Sequence, residues 1–167
     1  MPTILRAPDR LTAAQKRSAT TLYLAGPFED GRSEGAGWRD EVIDAFEDLD
    51  IVIIDPRNER WPDLEVGSPG RRGAYDWQCA TAMDADVVLV WIPEGAGAPT
   101  ALLLLGALGA KRNNAKKGSS VVVGGDGCGG LAKLFAQNQR LFPVDGDLGE
   151  LVRIARLQVE AAVAAKA

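Results

Sequence analysis

Short apolar runs alternate with longer amphipathic segments along the chain. Apolar runs rich in valine, leucine and isoleucine are typical of strands buried on both faces, and they occur at residues 21–25, 51–54, 87–92 and 120–123. A weaker run at 141–144 is consistent with a fifth strand. Helical periodicity fills the intervals, at residues 38–49, 75–83, 101–110, around Leu134, and 148–165. The pattern predicts a flavodoxin-like α/β domain, with a parallel sheet of about five strands and helices on both faces.

The domain organisation follows from where this alternation begins. Residues 1–19 hold no long periodic pattern and are expected to form an N-terminal arm or an edge strand, while residues 20–167 form the α/β domain. Residues 29–37 read as a polar, glycine-rich loop near a site. Residues 56–73 read as a long irregular stretch, and loops of that length in a compact domain are usually functional. An active-site lid or wall is therefore expected there.

Composition excludes several classes of partner. The net charge of −4 argues against a nucleic-acid polymer or an anionic membrane as the partner, because both reward basic surfaces. The N-terminus has no apolar run of the signal-peptide kind, and no segment reaches the ~18 apolar residues of a membrane span. A cytoplasmic location is expected.

The chemistry available is narrow because the chain has no histidine. Ser-His-Asp and Cys-His catalysis and histidine-ligated metals are excluded. Cys79 and Cys128 fit no metal spacing or disulfide framework, so both are expected as buried thiols, and no metal or cofactor is expected. Any reaction must use carboxylates, tyrosine, lysine, cysteine or backbone groups.

Two glycine-containing turns are candidate ligand loops. The first strand ends in Gly26-Pro27, which delivers backbone groups and Tyr23 to the carboxyl edge of the sheet, where open α/β sheets bind ligands. This turn lacks the G-x-G-x-x-G pattern of dinucleotide sites, and Pro27 removes a backbone donor. The turn at 124–130 either contacts a phosphate or is only a flexible connection, since it lacks the lysine and hydroxyl of a P-loop.

Five carboxylates stand near strand ends. Asp84 and Asp86 precede a strand, at the edge away from the ligand, and read as solvated capping residues. Asp55 closes the second strand. Asp76 is expected to open a helix, and Glu94 follows the third strand at the ligand-binding edge. Of the five carboxylates, Asp76 and Glu94 are therefore the better placed for a catalytic role.

Several motifs together resemble the nucleoside 2-deoxyribosyltransferase-like proteins. The motifs are Tyr23-Leu24-Ala25-Gly26-Pro27, Trp38-Arg39, Asp55-Pro56-Arg57, Trp61-Pro62, Tyr75-Asp76-Trp77 and the segment from Ala85 to Pro93. The resemblance implies a flavodoxin-like fold, a nucleoside or nucleotide ligand, and transfer or hydrolysis at the N-glycosidic bond. It also implies a homodimer or larger homo-oligomer, and the apolar helix at 101–110 favours the same expectation.

The resemblance also implies site residues, and one departure stands out. Leu104 occupies the position of the family's nucleophilic glutamate, and Gln78 stands where many relatives carry a glutamate. Glu94 and Asp76 are then the catalytic candidates. The expected substrate-binding residues are Tyr23, Gly26, Pro27, Asp55, Trp61, Trp77 and Gln78. A rearranged glycosidic enzyme, a catalytically silent nucleotide-binding relative and an unrelated regulatory module all remain open.

Overall fold

The central strand of the sheet runs directly into the Gly26-Pro27 turn. The computed structural model describes residues 1–27, 37–58, 61, 64–65, 67–114, 120–139 and 141–166. The strands are β1 (Thr3–Arg6), β2 (Thr21–Ala25), β3 (Val52–Asp55), β4 (Val87–Trp91), β5 (Ser120–Gly124) and β6 (Phe142–Pro143). The helices are α1 (Ala13–Ser18), α2 (Trp38–Asp44), α3 (Pro69–Asp84), α4 (Pro99–Asn114), α5 (Leu131–Asn138) and α6 (Leu148–Ala164), with a 3-10 turn at Gly127–Gly130.

The six strands pair in the order β1-β3-β2-β4-β5-β6, and every pair is parallel. The predicted flavodoxin-like α/β fold is confirmed, with six strands among the described residues rather than about five. The extra strand is β1, which pairs Thr3 with Val52 and lies outside β3. The strand order reverses between β2 and β4, so the carboxyl ends of these two strands define the crevice where such sheets bind ligands.

The two faces of the sheet are covered by different helices. Tyr23 and Ala25 lie on the face packed by α3, α4 and α5, whereas Leu22 and Leu24 lie on the face packed by α2 and α6. All five residues of β2 are buried, as expected for a strand covered on both sides. None of the helices in the described part of the chain is both long and apolar enough to cross a membrane.

Helix α3 begins earlier than the sequence pattern predicts. Ser68 caps it by accepting a hydrogen bond from the Arg71 backbone N–H at 3.1 Å, and Pro69 occupies the first turn. The predicted irregular stretch 56–73 is therefore wrong at its end, and Asp76 lies well inside the helix rather than opening it. The glycines and arginines in the first two turns of α3 are typical of a loop, so the sequence pattern does not indicate a helix there. Residues 59–60, 62–63 and 66 lie outside the described residues, as do residues 29–36 of the predicted polar loop.

Asp86 joins strands at the amino edge of the sheet. Its Oδ2 accepts hydrogen bonds from the Thr21 backbone N–H and hydroxyl, both at 2.9 Å, and it pairs with Lys166 at 2.7 Å. The expectation of a solvated capping residue is wrong for Asp86, because these contacts fasten β2 and the end of the chain to the start of β4. Asp84 does stay exposed, paired with Lys16.

Candidate functional site

The turn after β2 is packed tightly against its neighbours. A Cβ on Gly26 would lie 2.5 Å from the Trp91 carbonyl oxygen and 2.6 Å from the Trp38 ring. Real Cβ atoms do not approach that closely, so only glycine fits between the end of β4 and the start of α2. The backbone of the turn is thereby held at the point where the strand order reverses.

Arg39 fixes the carbonyl groups of this turn. Its side chain is fully buried, and its guanidinium donates to the Pro27 oxygen at 2.9 Å and to the Gly26 oxygen at 3.2 Å. The same guanidinium lies 4.4 Å from the centre of the Trp38 ring. Sequence reasoning assigned Arg39 no role of its own. An arginine on an amphipathic helix is ordinarily exposed, so only its place in the Trp38-Arg39 motif drew attention to it.

Asp55 lies at the end of β3 and is surrounded by arginines. Its fully buried carboxylate accepts hydrogen bonds from the Arg57 backbone N–H at 3.0 Å and side chain at 2.8 Å. Arg6 lies 3.6 Å away and Arg39 lies 3.9 Å away. The carboxylate is thus charge-compensated, as a buried charge must be. Its contacts make it an anchor for the arginines of this edge.

Arg57 extends this network to the surface. It forms two hydrogen bonds to the Asp40 carboxylate, at 2.6 and 3.1 Å. This bidentate contact lowers the pKa of Asp40 and raises the pKa of Arg57. Because Asp40 follows Arg39 on α2, the network connects the start of α2, the end of β3 and the turn after β2.

The Tyr23 hydroxyl lies on the other face of the sheet, which is the face packed by α3, α4 and α5. It is buried, and no hydrogen-bond partner is found for it among the described residues. Burial raises the pKa of Tyr23, an effect opposed by the nearby Arg39 charge and reinforced by Cys79 and Asp55. The pKa of Tyr75, one helical turn before Cys79, is also raised, chiefly by a hydrogen bond with that thiol.

Two predicted aromatic residues contact each other. The Trp61 and Trp77 rings pack edge to face, with centroids 5.5 Å apart and planes inclined at 69°. Trp77 donates its indole N–H to the Asp9 carbonyl at 2.9 Å, and Arg71 donates to the Trp61 carbonyl at 2.6 Å. With 9% and 4% of their surfaces exposed, Trp61 and Trp77 form a wall joining the N-terminal arm to α3.

The glycine-rich turn after β5 has a packing explanation. A Cβ on Gly125, whose φ is +88°, would collide with the Ile92 carbonyl, and a Cβ on Gly127 would collide with Ile92 and Pro93. The Gly127 backbone N–H also donates to the Ile92 oxygen at 2.8 Å. These glycines allow the turn to lie against the end of β4, which accounts for them without a phosphate. The described residues include no group of three or more metal-ligating side chains.

The sequence of this chain matches a known protein family. Residues 19–118 match the sequence profile of the family described as nucleoside 2-deoxyribosyltransferase like, a span of more than half of the 167 residues. The chain belongs to this family. No curated protein matches the chain. The matched span runs from just before β2 to just after α4, so it contains every site residue that the sequence predicts.

In this deoxyribosyltransferase-like protein, the two positions at which the resemblance implies a glutamate are buried and uncharged. Leu104 is 2% exposed and belongs to the hydrophobic cluster that also contains Leu105 and Leu108. Gln78 is 6% exposed on the buried face of α3. A carboxylate at either position would need a partner or water to remain ionised.

The remaining carboxylate candidates lie outside this interior. Asp76 and Glu94 are both exposed. Among the described residues, neither forms an ion pair or hydrogen bond with another candidate of the site. The structure therefore joins Arg39 with Gly26, Pro27 and Asp55, and Trp61 with Trp77, while Asp76 and Glu94 stand apart. Their assignment as catalytic residues stays a prediction.

Proposed function

We propose that this protein binds a nucleoside or nucleotide at the carboxyl ends of β2 and β4 and does not transfer deoxyribose through a covalent intermediate. The observation that carries the proposal is the burial of Leu104 in the apolar core, at the position that the resemblance assigns to the family's nucleophile. Covalent glycosyl transfer needs a carboxylate that attacks the anomeric carbon, and leucine has no such group.

No other described carboxylate is an evident replacement for this nucleophile. Asp55 is buried but engaged by Arg57 and Arg39. Asp76 and Glu94 are ionisable and accessible, but they are exposed to water rather than held in the interior. The Gly26-Pro27 turn, by contrast, lies at the edge where open α/β sheets bind ligands, which supports a binding role. Binding is therefore favoured over covalent transfer.

Hydrolysis of the N-glycosidic bond is the second candidate. Glu94 favours it, because it stands three residues after the carboxyl end of β4 and has no ion-pair or hydrogen-bond partner among the described residues. An exposed carboxylate can activate a water molecule for single-step displacement without a covalent intermediate. In this mechanism Glu94 would act as the general base, and Asp76 would protonate the departing base.

One experiment separates these possibilities. The protein is titrated calorimetrically with adenosine, guanosine, uridine, thymidine and their 5′-monophosphates, and each mixture is then analysed for free base by chromatography. Heat of binding without free base is expected. Release of base that Glu94→Gln abolishes would favour hydrolysis, and the absence of binding at millimolar ligand would overturn the proposed function.

We also propose that the protein forms a homodimer. The largest exposed apolar side chains include Leu103 on α4, with 61% of its surface exposed, and Leu131 and Leu134 on the adjacent α5, with 54% and 56%. Burying exposed leucines of this size against a second copy would be favourable. Helix α6 offers a smaller alternative in Leu157, which is 51% exposed.

A further inference from the structure

The N-terminal arm, residues 1–19, covers two tryptophans that the sequence predicts to bind the ligand. The buried Leu11 of the arm belongs to the same apolar cluster as Trp61 and Trp77. Trp77 also donates its indole N–H to the backbone carbonyl of Asp9 at 2.9 Å. With 9% and 4% of their surfaces exposed, neither tryptophan offers an open ring face on which a planar ligand could stack. A segment that covers them must therefore move before either ring can contact a ligand.

The arm is held more weakly than the sheet beneath it. Three of its side chains are buried: Leu5, Ala7 and Leu11. Each of the three keeps 7–9% of its surface exposed, whereas the residues of β2 keep 0–3%. Helix α1 contributes no buried residue, and its Lys16 reaches the rest of the protein through an exposed ion pair with Asp84, which adds little stability. Segments with so few buried contacts open locally while the remaining structure stays folded.

The arm passes the carboxyl edge of the sheet directly after β1. The Ala7 backbone N–H donates to the Asp55 carbonyl at 3.4 Å, and the Asn58 side chain donates to the Ala7 carbonyl at 2.9 Å. Arg6 lies 3.6 Å from the Asp55 carboxylate, with 63% of its side chain exposed. Residues 1–18 also precede the span that matches the family. A segment outside the family span thus covers tryptophans that lie inside it.

We propose that the N-terminal arm is an autoinhibitory strap, which covers the Trp61–Trp77 pair when closed and frees it when open. In the closed conformation the Asp9 carbonyl occupies the indole N–H of Trp77, and Leu11 packs in the tryptophan cluster. Opening frees the two rings for an aromatic ligand. The fraction of protein with an open arm then sets the apparent affinity. The identity of that ligand rests on the proposed function, whereas the opening of the arm does not.

The opening is tested first without a ligand. The indole N–H of Trp77 is a specific reporter, because its acceptor is the Asp9 carbonyl of the arm. Its exchange with solvent deuterium is followed by NMR, with the signal assigned by its loss in Trp77→Phe. We expect it to exchange about tenfold or more faster than the backbone amides of β2 and β4. The rate should also depend little on urea, because local opening exposes little surface.

Two variants then loosen the arm at separate points. Leu11→Ala removes an apolar anchor, and Asn58→Ala removes the donor to Ala7. Each should speed exchange of the Trp77 indole and raise the affinity for adenosine, guanosine, uridine or thymidine, by about tenfold for Leu11→Ala. The matched control is Val159→Ala, which removes buried volume from the cluster on the other face of the sheet. It should lower the Tm and leave indole exchange and affinity unchanged.

Each contrary outcome has a distinct meaning. A Trp77 indole that exchanges only together with the amides of β2 and β4 would overturn the strap, because the arm would then open only on global unfolding. Unchanged or weaker nucleoside affinity in both Leu11→Ala and Asn58→Ala would overturn inhibition by the arm and leave the proposed function standing. A wild type that binds no nucleoside would overturn the proposed function, whereas indole exchange tests the opening of the arm without any ligand.

Discussion

The guanidinium of Arg39 and the carboxylate of Asp55 lie 3.9 Å apart, and both side chains are fully buried. Residues 16 positions apart in the sequence thus form an internal ion pair directly beneath the Gly26-Pro27 turn. The arginine also donates to the two carbonyls of that turn. This pair couples the stability of the fold to the shape of the candidate site.

Removing the arginine should therefore be costly. Arg39→Met leaves Asp55 with one cation fewer and two carbonyls without donors, so we expect a loss of about 3–5 kcal/mol in the free energy of unfolding. Urea denaturation measures the loss. Adding Asp55→Asn should recover part of it, whereas Arg153→Met, in an exposed pair with Glu150, should change stability little. Equal losses from Arg39→Met and Arg153→Met would contradict this account.

The close packing at Gly26 predicts a second effect. Gly26→Ala places a methyl group against the Trp91 carbonyl and the Trp38 ring, and we expect a loss of about 1–3 kcal/mol from overpacking. Nucleoside affinity should fall as the turn shifts. Gly97→Ala is the matched control, because a Cβ there meets nothing within 4 Å. Thermal unfolding and calorimetry compare the two variants, and identical behaviour would refute the steric argument.

Introducing the family carboxylate tests the nucleophile assignment. Leu104→Glu buries an ionisable group in an apolar cluster, and we expect a stability loss of about 3 kcal/mol or more at neutral pH. The folded-state pKa of the new carboxyl is expected to be raised, so the loss should be smallest below the ordinary glutamate pKa near 4.3 and grow as pH rises. Leu103→Glu, at an exposed neighbour, should cost the protomer much less stability, because it buries no charge in the core, although it is expected to weaken the proposed dimer.

The activity of the same variant is the informative readout. Release or exchange of base from nucleosides should increase in Leu104→Glu and remain absent in Leu103→Glu, as chromatography would show. A wild type that already transfers deoxyribose at enzymatic rates, unchanged by Leu104→Glu, would mean that position 104 is not the nucleophile position.

Alkaline pH should destabilise the protein through Tyr23. Burial raises the pKa of Tyr23 in the folded state above its ordinary value of 10.0. Above that pH the unfolded chain loses a proton that the folded protein keeps, so stability is full below pH 10 and falls as pH rises, by up to about 1.4 kcal/mol per pH unit for one group. Tyr23→Phe should reduce this slope, as denaturation midpoints measured from pH 8 to 11 would show. An unaltered slope would exclude Tyr23 as its source.

The proposed dimer predicts a change in mass. Leu103→Lys combined with Leu134→Lys should give a monomer, because both positions are exposed on the adjacent helices α4 and α5. Light scattering at micromolar concentration compares it with the wild type and with Leu157→Lys on α6. Dissociation by Leu157→Lys alone would place the interface on the other side of the sheet, and a monomeric wild type would exclude the dimer.

Much of the fold could be predicted from local pattern. Val52–Asp55 and Val87–Trp91 were identifiable because strands buried on both faces are continuously apolar. The start of helix α3 was harder to predict, because Gly70, Gly73 and the two arginines between them are typical of a loop sequence. Its start depends on the Ser68 cap and on packing of the later turns against the sheet, and neither appears in periodicity.

The candidate site was predicted only in part. The position of Gly26 at the ligand-binding edge could be predicted, because it follows a strand and all parallel strands end at the same edge of a sheet. The edge-to-face contact of Trp61 and Trp77, and the contacts that compensate Asp55, could not be predicted. They depend on how separate segments approach one another in the folded chain.

The sequence by itself determined the parallel α/β architecture, the family and the presence of leucine at position 104, because apolar runs, helical spacing and residue identity are local properties. Only the tertiary structure decided that Arg39 is buried, that Asp55 is engaged by arginines, and that the Tyr23 hydroxyl has no partner among the described residues. Burial and charge pairing are relationships between distant segments. The same arginine or tyrosine would be an ordinary surface residue if the strands met in another order.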